Sequence, residues 1–185
     1  MSTLTQTDVT TYTIDASHSR FGFVVRHLGF SKVRGAFEQF EGTIEMEGDD
    51  LTTLRAEATA QAASINTHDA KRDAHLRTGD FFEAETYPEL SFRSTEVLNA
   101  SGNSFTLVGD LTMRGVTKTV AFHAESLGTA SDPWGGTRIA FEASTKVNRK
   151  EYGLNWNVAL ETGGWLVSEE VEIVLEIEAT RNAEG

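Results

Sequence analysis

The sequence predicts an all-β protein: an eight-stranded antiparallel barrel with one short helical segment between its third and fourth strands. Three observations carry this. From Tyr12 onward apolar side chains recur mostly at every second position, which is the strand period. Turn-forming residues punctuate the runs. One stretch, residues 67–86, breaks the alternation. At 185 residues the chain suits a single domain, read as 11–182 behind a flexible tail 1–10 that is polar and aperiodic.

The first strand runs from about Ser19 to Leu28, with Phe21, Phe23, Val25 and His27 on one face. The second puts Val33, Gly35 and Phe37 on one parity and Phe40, Gly42, Ile44 and Met46 on the other. A parity switch inside one strand implies a bulge near Glu38–Gln39, the kind of bend that wraps a strand around a barrel. The third, about Leu54 to Ile65, reads Leu54, Ala56, Ala58, Ala60, Ala62 on its less polar face. Alanine favours helices, but the polar residues between alternate strictly, so the segment is a strand. Within 67–86 one or two helical turns fit, capped by Asn66 or Thr67 and ended by Gly79, with Phe81 and Phe82 anchoring a second turn. The remaining strands carry Leu90 and Phe92; Phe105 to Met113; Val116 to Ala124; Ile139 to Val147; and Val171 to Ala179. The last alternates with Glu170, Glu172, Glu176 and Glu178, an outer face. Eight strands is the number at which a closed barrel holds either its own side chains or one small ligand.

Composition excludes several classes. There is no cysteine, so thiol chemistry and disulfides are absent. A formal net charge of −12 disfavours nucleic acid and adsorption to anionic membranes. No apolar run is long enough to span a bilayer, so no stable membrane insertion is expected. The opening MSTLTQTDVTT has neither a basic nor an apolar leader region, which reads as a cytoplasmic protein.

The inward parities mix bulk with smallness. Phe21, Phe23, Val25, His27, Phe37, Phe92, Leu107, Phe122 and Phe141 face the row Ala56, Ala58, Ala60, with Gly35, Gly42 and Gly109 nearby. Interiors pack densely and voids are costly. Either the rings cross over and fill the space beside the small row, or these twelve inward side chains line a pocket for an apolar ligand.

Catalytic signatures are missing: no nucleophile elbow, glycine-rich phosphate loop or zinc-protease helix motif occurs. His68 and His75 lie seven apart with Asp69 and Asp73 between, which would suit a metal site on one helix face or simply a solvated helix. Neither cofactor nor resident metal is expected.

The ordered fragments R-D-x-H-L-x-x-x-D-F-F (from Arg72) and G-D-L-T-x-R-G-V-T (from Gly109) are the most specific features. They accompany Ile14-Asp15, His18-Ser19, His27, Val33-Arg34-Gly35, Ile65-Asn66-Thr67, Tyr87-Pro88, Arg149 and Tyr152-Gly153. With these residues the chain resembles the YceI-like proteins, a lipocalin-like group of polyisoprenoid-binding barrels, over most of residues 12–179. The resemblance implies a barrel with an elongated apolar pocket for a polyisoprenoid, quinone tail or fatty-acid derivative, held as carrier, scavenger or store, by a protein that is not an enzyme. It also implies a possible homodimer, and relatives that are often exported. Two other readings stand beside it: a ligand-free stress-response barrel, and a metal-assisted enzyme using His68, His75 and Asp73. The family residues themselves read as structural: Gly109 and Gly115 for close backbone approach, Arg72-Asp73 as an ion pair. Trp156 and Trp165, in the loop Gly153–Val167, either shape a pocket mouth or cover a barrel end.

Overall fold

The computed structural model describes residues 8–183. Three of the eight staves of the barrel are broken strands. The first is β1 (Val9–Ile14) and β2 (Arg20–His27), parted by a 3-10 turn at Ala16–His18. The second is β3 (Ser31–Phe37) and β4 (Phe40–Glu47), parted at Glu38–Gln39, where the parity switch places the bend. The third is β5 (Asp50–Gln61) and the two-residue β6 (Ile65–Asn66), parted by a 3-10 turn at Ala62–Ser64. Helix α1 (Ala70–Leu76) follows, and then the continuous strands β7 (Glu89–Ser101), β8 (Ser104–Met113), β9 (Val116–Ser131), β10 (Thr137–Asn148) and β11 (Val167–Arg181). All pairings are antiparallel, and β11 closes the ring by pairing β1 through Tyr12–Ile14 and β2 through Arg20–His27.

The structure corrects several expectations. Of the tail 1–10, residues 1–7 lie outside the described residues, but Val9 and Thr10 are strand, paired with Glu47 and Met46. The third strand ends at Gln61: Ala62 still donates its N–H to Pro88 O at 2.8 Å, in register with β7, but Pro88 has no N–H to return, and Ala62 O accepts instead from the Ile65 amide in the 3-10 turn. The helix is capped by Asp69, whose carboxylate accepts from the Lys71 and Arg72 amides. Asn66 and Thr67 serve other bonds: Asn66 accepts from the His68 amide, and Thr67 anchors the Arg72–Asp73 pair. Those two residues meet on Thr67 rather than on each other: Asp73 accepts from the Thr67 amide and hydroxyl, and Arg72 donates to the same hydroxyl and to Thr67 O.

Glycine sets the spacing of the wall where rings cross it. A Cβ on Gly109 would lie 2.5 Å from the Arg93 carbonyl oxygen and 2.5 Å from Phe92 Cζ. The ring could swing aside, but the backbone oxygen of the paired strand cannot. Gly109→Ala is therefore expected to lower stability by about 3 kcal/mol through overpacking, measured by urea denaturation.

An ionic cluster staples the closure seam. Arg138 on β10 donates from Nη1 to Asp15 at 2.8 Å and to Glu178 on β11 at 2.6 Å, and its Nε reaches Asp132 at 3.4 Å. Ser17, Arg138 and His18 hydrogen-bond the Asp15 carboxyl and hold it well below the usual carboxylate range. A depressed carboxyl stabilises the fold above its unfolded pKa of about 4, and that contribution is lost as pH falls below it. Arg138→Gln should thus lower the melting temperature at neutral pH, and the gap from the parent should narrow steadily as pH drops below about 4. A gap that stayed constant with pH would remove the Arg138–Asp15 contact from the account.

Candidate ligand-binding cavity

The barrel interior divides into a filled half and a hollow half. In the filled half Tyr12, Ile44, Met46, Leu54, Phe105, Leu107 and Phe141 pack into one buried cluster. Phe105 and Phe141 meet edge to face there, with ring centroids 6.1 Å apart. Phe92 and Phe122, edge to face at 5.3 Å, stand between the halves and floor the second.

Above that floor lies a cavity of about 190 Å³. Its accessible wall is apolar throughout: Phe21, Phe23 and Val25 of β2, Phe37 of β3, Ala58 and Ala60 of β5, Leu90 of β7, Leu111 and Met113 of β8, and Val171, Ile173 and Leu175 of β11, while Thr59, Ser91 and Arg149 border it without presenting polar surface. Such a site offers burial to an apolar chain and no hydrogen bond to a polar group.

Two segments roof the hollow half. Pairing between β5 and β7 covers only Glu57–Gln61 with Glu89–Arg93, and β6 pairs only with β3, so the wall parts between β6 and β7. The segment 67–86 closes this gap, placing Leu76, Phe81 and Phe82 on the cavity. Its His75 and Phe81 rings pack on Trp156 of the opposite loop, at 4.8 and 5.4 Å. That loop, residues 153–166, is held by Arg149, buried at the end of β10. Its guanidinium donates to Ser168 O at 2.8 Å, to Trp156 O at 3.0 Å and to Leu154 O. Burial pulls the Arg149 pKa below its usual range, and the charge of Glu169 opposes that in part. Tyr152, 1 % exposed, has the only buried side-chain polar atom without a partner among the described residues, and burial pushes its hydroxyl up to about 12.

Of the twelve inward residues the sequence nominates, eight face the cavity: Phe21, Phe23, Val25, Phe37, Ala58, Ala60, Phe92 and Phe122. Ala56, Leu107 and Phe141 sit in the filled half, where Ile44, the strand partner of Ala56, packs in the same buried cluster as the edge-to-face pair Phe105 and Phe141. His27 stands at the rim, paired with Val167. Along the alanine row, Ala56 is thus packed by side chains, while Ala58 and Ala60 border open space. The roof residues Leu76, Phe81 and Phe82 were missed, since a turn-rich segment has no period to assign them a side.

The alternative metal set does not assemble. His68 precedes the helix at φ 62, Asp73 is engaged by Thr67, and His75 Nε2 lies 2.7 Å from Asp80. Among the described residues the one group of three potential ligands is Asp15, His18 and Glu178, and the Arg138 guanidinium already bonds both carboxylates. No helix among them is long and apolar enough to cross a membrane.

The fold and cavity define an antiparallel barrel, half of whose interior is an apolar cavity. The family model described as the YceI-like domain matches residues 12–179, and the chain belongs to that family. It is 38% identical over 168 residues to a UPF0312 protein of Photorhabdus laumondii, covering 91% of this chain and 84% of that one. A UPF0312 protein of Staphylococcus aureus is likewise 38% identical, over 89% of this chain and 94% of its own. Among solved structures, the Campylobacter jejuni YceI protein superposes with a TM-score of 0.74 at 28% identity, covering 86% of this chain and 90% of that one. A polyisoprenoid binding domain from Saccharophagus degradans, implicated in plant cell wall breakdown, shares the fold with a TM-score of 0.68 at 18% identity, over 92% and 98% of the two chains.

Proposed function

We propose that this protein binds an apolar chain, a polyisoprenoid, quinone tail or fatty-acid derivative, in the hollow half of its barrel, and acts as a carrier, scavenger or store rather than an enzyme. The observation that carries the reading is a cavity of about 190 Å³ whose accessible wall is entirely apolar. An apolar void of about 150 Å³ is already enough to hold benzene, while pockets for drug-sized ligands span about 300–1,000 Å³. The space therefore takes a segment of a long chain as it stands, and a complete polyprenyl tail requires the roof of residues 67–86 to lift. The polyisoprenoid-binding name of the Saccharophagus domain agrees in kind with that lining.

The test is mass spectrometry of an organic extract of folded protein purified from cells, followed by uptake of a fluorescent fatty acid by delipidated protein. Stoichiometric lipid in the extract, or saturable uptake, is the expected result. An empty extract together with no uptake would return the barrel to the ligand-free structural reading.

A further inference from the structure

Residues 16–37 contain no aspartate or glutamate, in a chain that has 28 of them. This segment forms the β2–β3 hairpin, and its register puts Arg26, Lys32 and Arg34 on the outer face, opposite in parity to the cavity-lining Phe23 and Val25. Arg26 lies directly across from Lys32. Like charges opposed on an antiparallel pair destabilise it. Among the described residues none of these three makes a salt bridge, whereas Arg93, Arg114, Arg138, Lys146 and Lys150 all do. Arg20, at the base of the hairpin, faces Glu176 across β11 and is left aside.

The tip between these cations is apolar. Leu28, at φ 54, and Gly29, at φ 73, make the turn, so a leucine occupies a left-handed conformation that favours glycine. Phe30 follows, 82 % exposed. The Leu28 amide donates to Leu166 O at 2.9 Å and the Leu166 amide to Val158 O at 3.0 Å, which gathers exposed Val158 and Trp165 beside the tip. Lys150 lies over the Trp165 ring at 5.7 Å. Below this rim Val25 and Val167 line the cavity.

We propose that the β2–β3 hairpin is a docking element for an anionic lipid bilayer, which sets the rim of the cavity against the membrane surface. Cations around a protruding apolar tip match the headgroup layer and the acyl boundary beneath it. The net charge of −12 keeps the rest of the molecule off such a surface, and so selects this one orientation. The basic cluster is local to the hairpin: on the neighbouring strand β11, Glu172 lies across from Val24 and Glu176 across from Arg20.

The experiment is co-sedimentation of the full chain with vesicles of phosphatidylcholine alone and of equimolar phosphatidylcholine and phosphatidylglycerol. Binding to the anionic vesicles only, weakened by salt, is expected. The triple variant R26Q/K32Q/R34Q should lose about a hundredfold in partition, at about fivefold per charge. F30S should lose about tenfold. Both variants are exposed substitutions: the F30S melting curve should match the parent, and that of the triple variant should match or lie slightly above it, since the opposed Arg26–Lys32 charges are gone. Absence of binding, binding indifferent to the triple variant, or a dimer in sedimentation velocity that F30S abolishes would each overturn the proposal; the last would assign the face to a second copy of the chain. Vesicle binding is read with empty protein, so its failure and a failure of the cavity to take ligand are separate results.

Discussion

Arg149→Met is expected to cost the fold about 4 kcal/mol, seen as a fall in denaturation midpoint. Methionine replaces the aliphatic stem of the arginine but none of its donors. The carbonyls of Leu154, Trp156 and Ser168 then lose their bonds, while that of Val167, which Nη2 reaches only at 3.5 Å, keeps the Asn157 side-chain amide at 2.7 Å. A buried acceptor left alone costs about 1–3 kcal/mol, water reaching some of the three lowers the sum, and removing a desolvated charge returns part of it. Against a typical total of about 5–15 kcal/mol, the remainder is a large share. Arg149→Lys should recover only a fraction, because an ammonium lacks the planar fork that reaches carbonyls on two chain segments at once. A loss below about 1 kcal/mol would mean that the loop is held by its aromatic contacts instead.

Ala58→Phe should abolish ligand uptake and leave a folded barrel. Ala58 faces the cavity between Gly42 on β4 and Phe92 on β7. A phenyl ring there projects into space that no side chain occupies, so its area is buried while the volume open to ligand goes. The parallel change at Ala56 meets the filled half, where overpacking costs about 1–3 kcal/mol. The pair separates the two halves with one binding assay and one melting curve. Retained uptake by Ala58→Phe would move the ligand elsewhere. An unfolded Ala58→Phe beside a tolerated Ala56 substitution would invert the assignment.

Much of this was legible because strand period and burial are tightly linked in a barrel. The parity switch between Phe37 and Phe40 gave the bend at Glu38–Gln39, and the alternation of Val171, Ile173 and Leu175 with glutamates gave the closing strand its faces. The 3-10 breaks were not legible. Ala62 continues the alanine alternation perfectly, and the ladder stops there because its partner Pro88, twenty-six residues away, accepts from Ala62 but has no N–H to return. The cavity was legible only as an alternative. Whether Phe105 and Phe141 reach Ala56 or Ala58 depends on where along the barrel axis their rings fall, and parity is silent about height. The roof was illegible for the reason that makes it a roof: Phe81 and Phe82 belong to a segment without strand or long helix, placed by Thr67, Asp73 and Trp156.

The split interior also bears on how such a protein can diverge. Cohesion and open space are assigned to different rooms of one building. Substitutions among the residues walling the empty room alter what fits there while the packed room keeps the chain folded, so selection can explore new ligands without first finding compensating stabilisers.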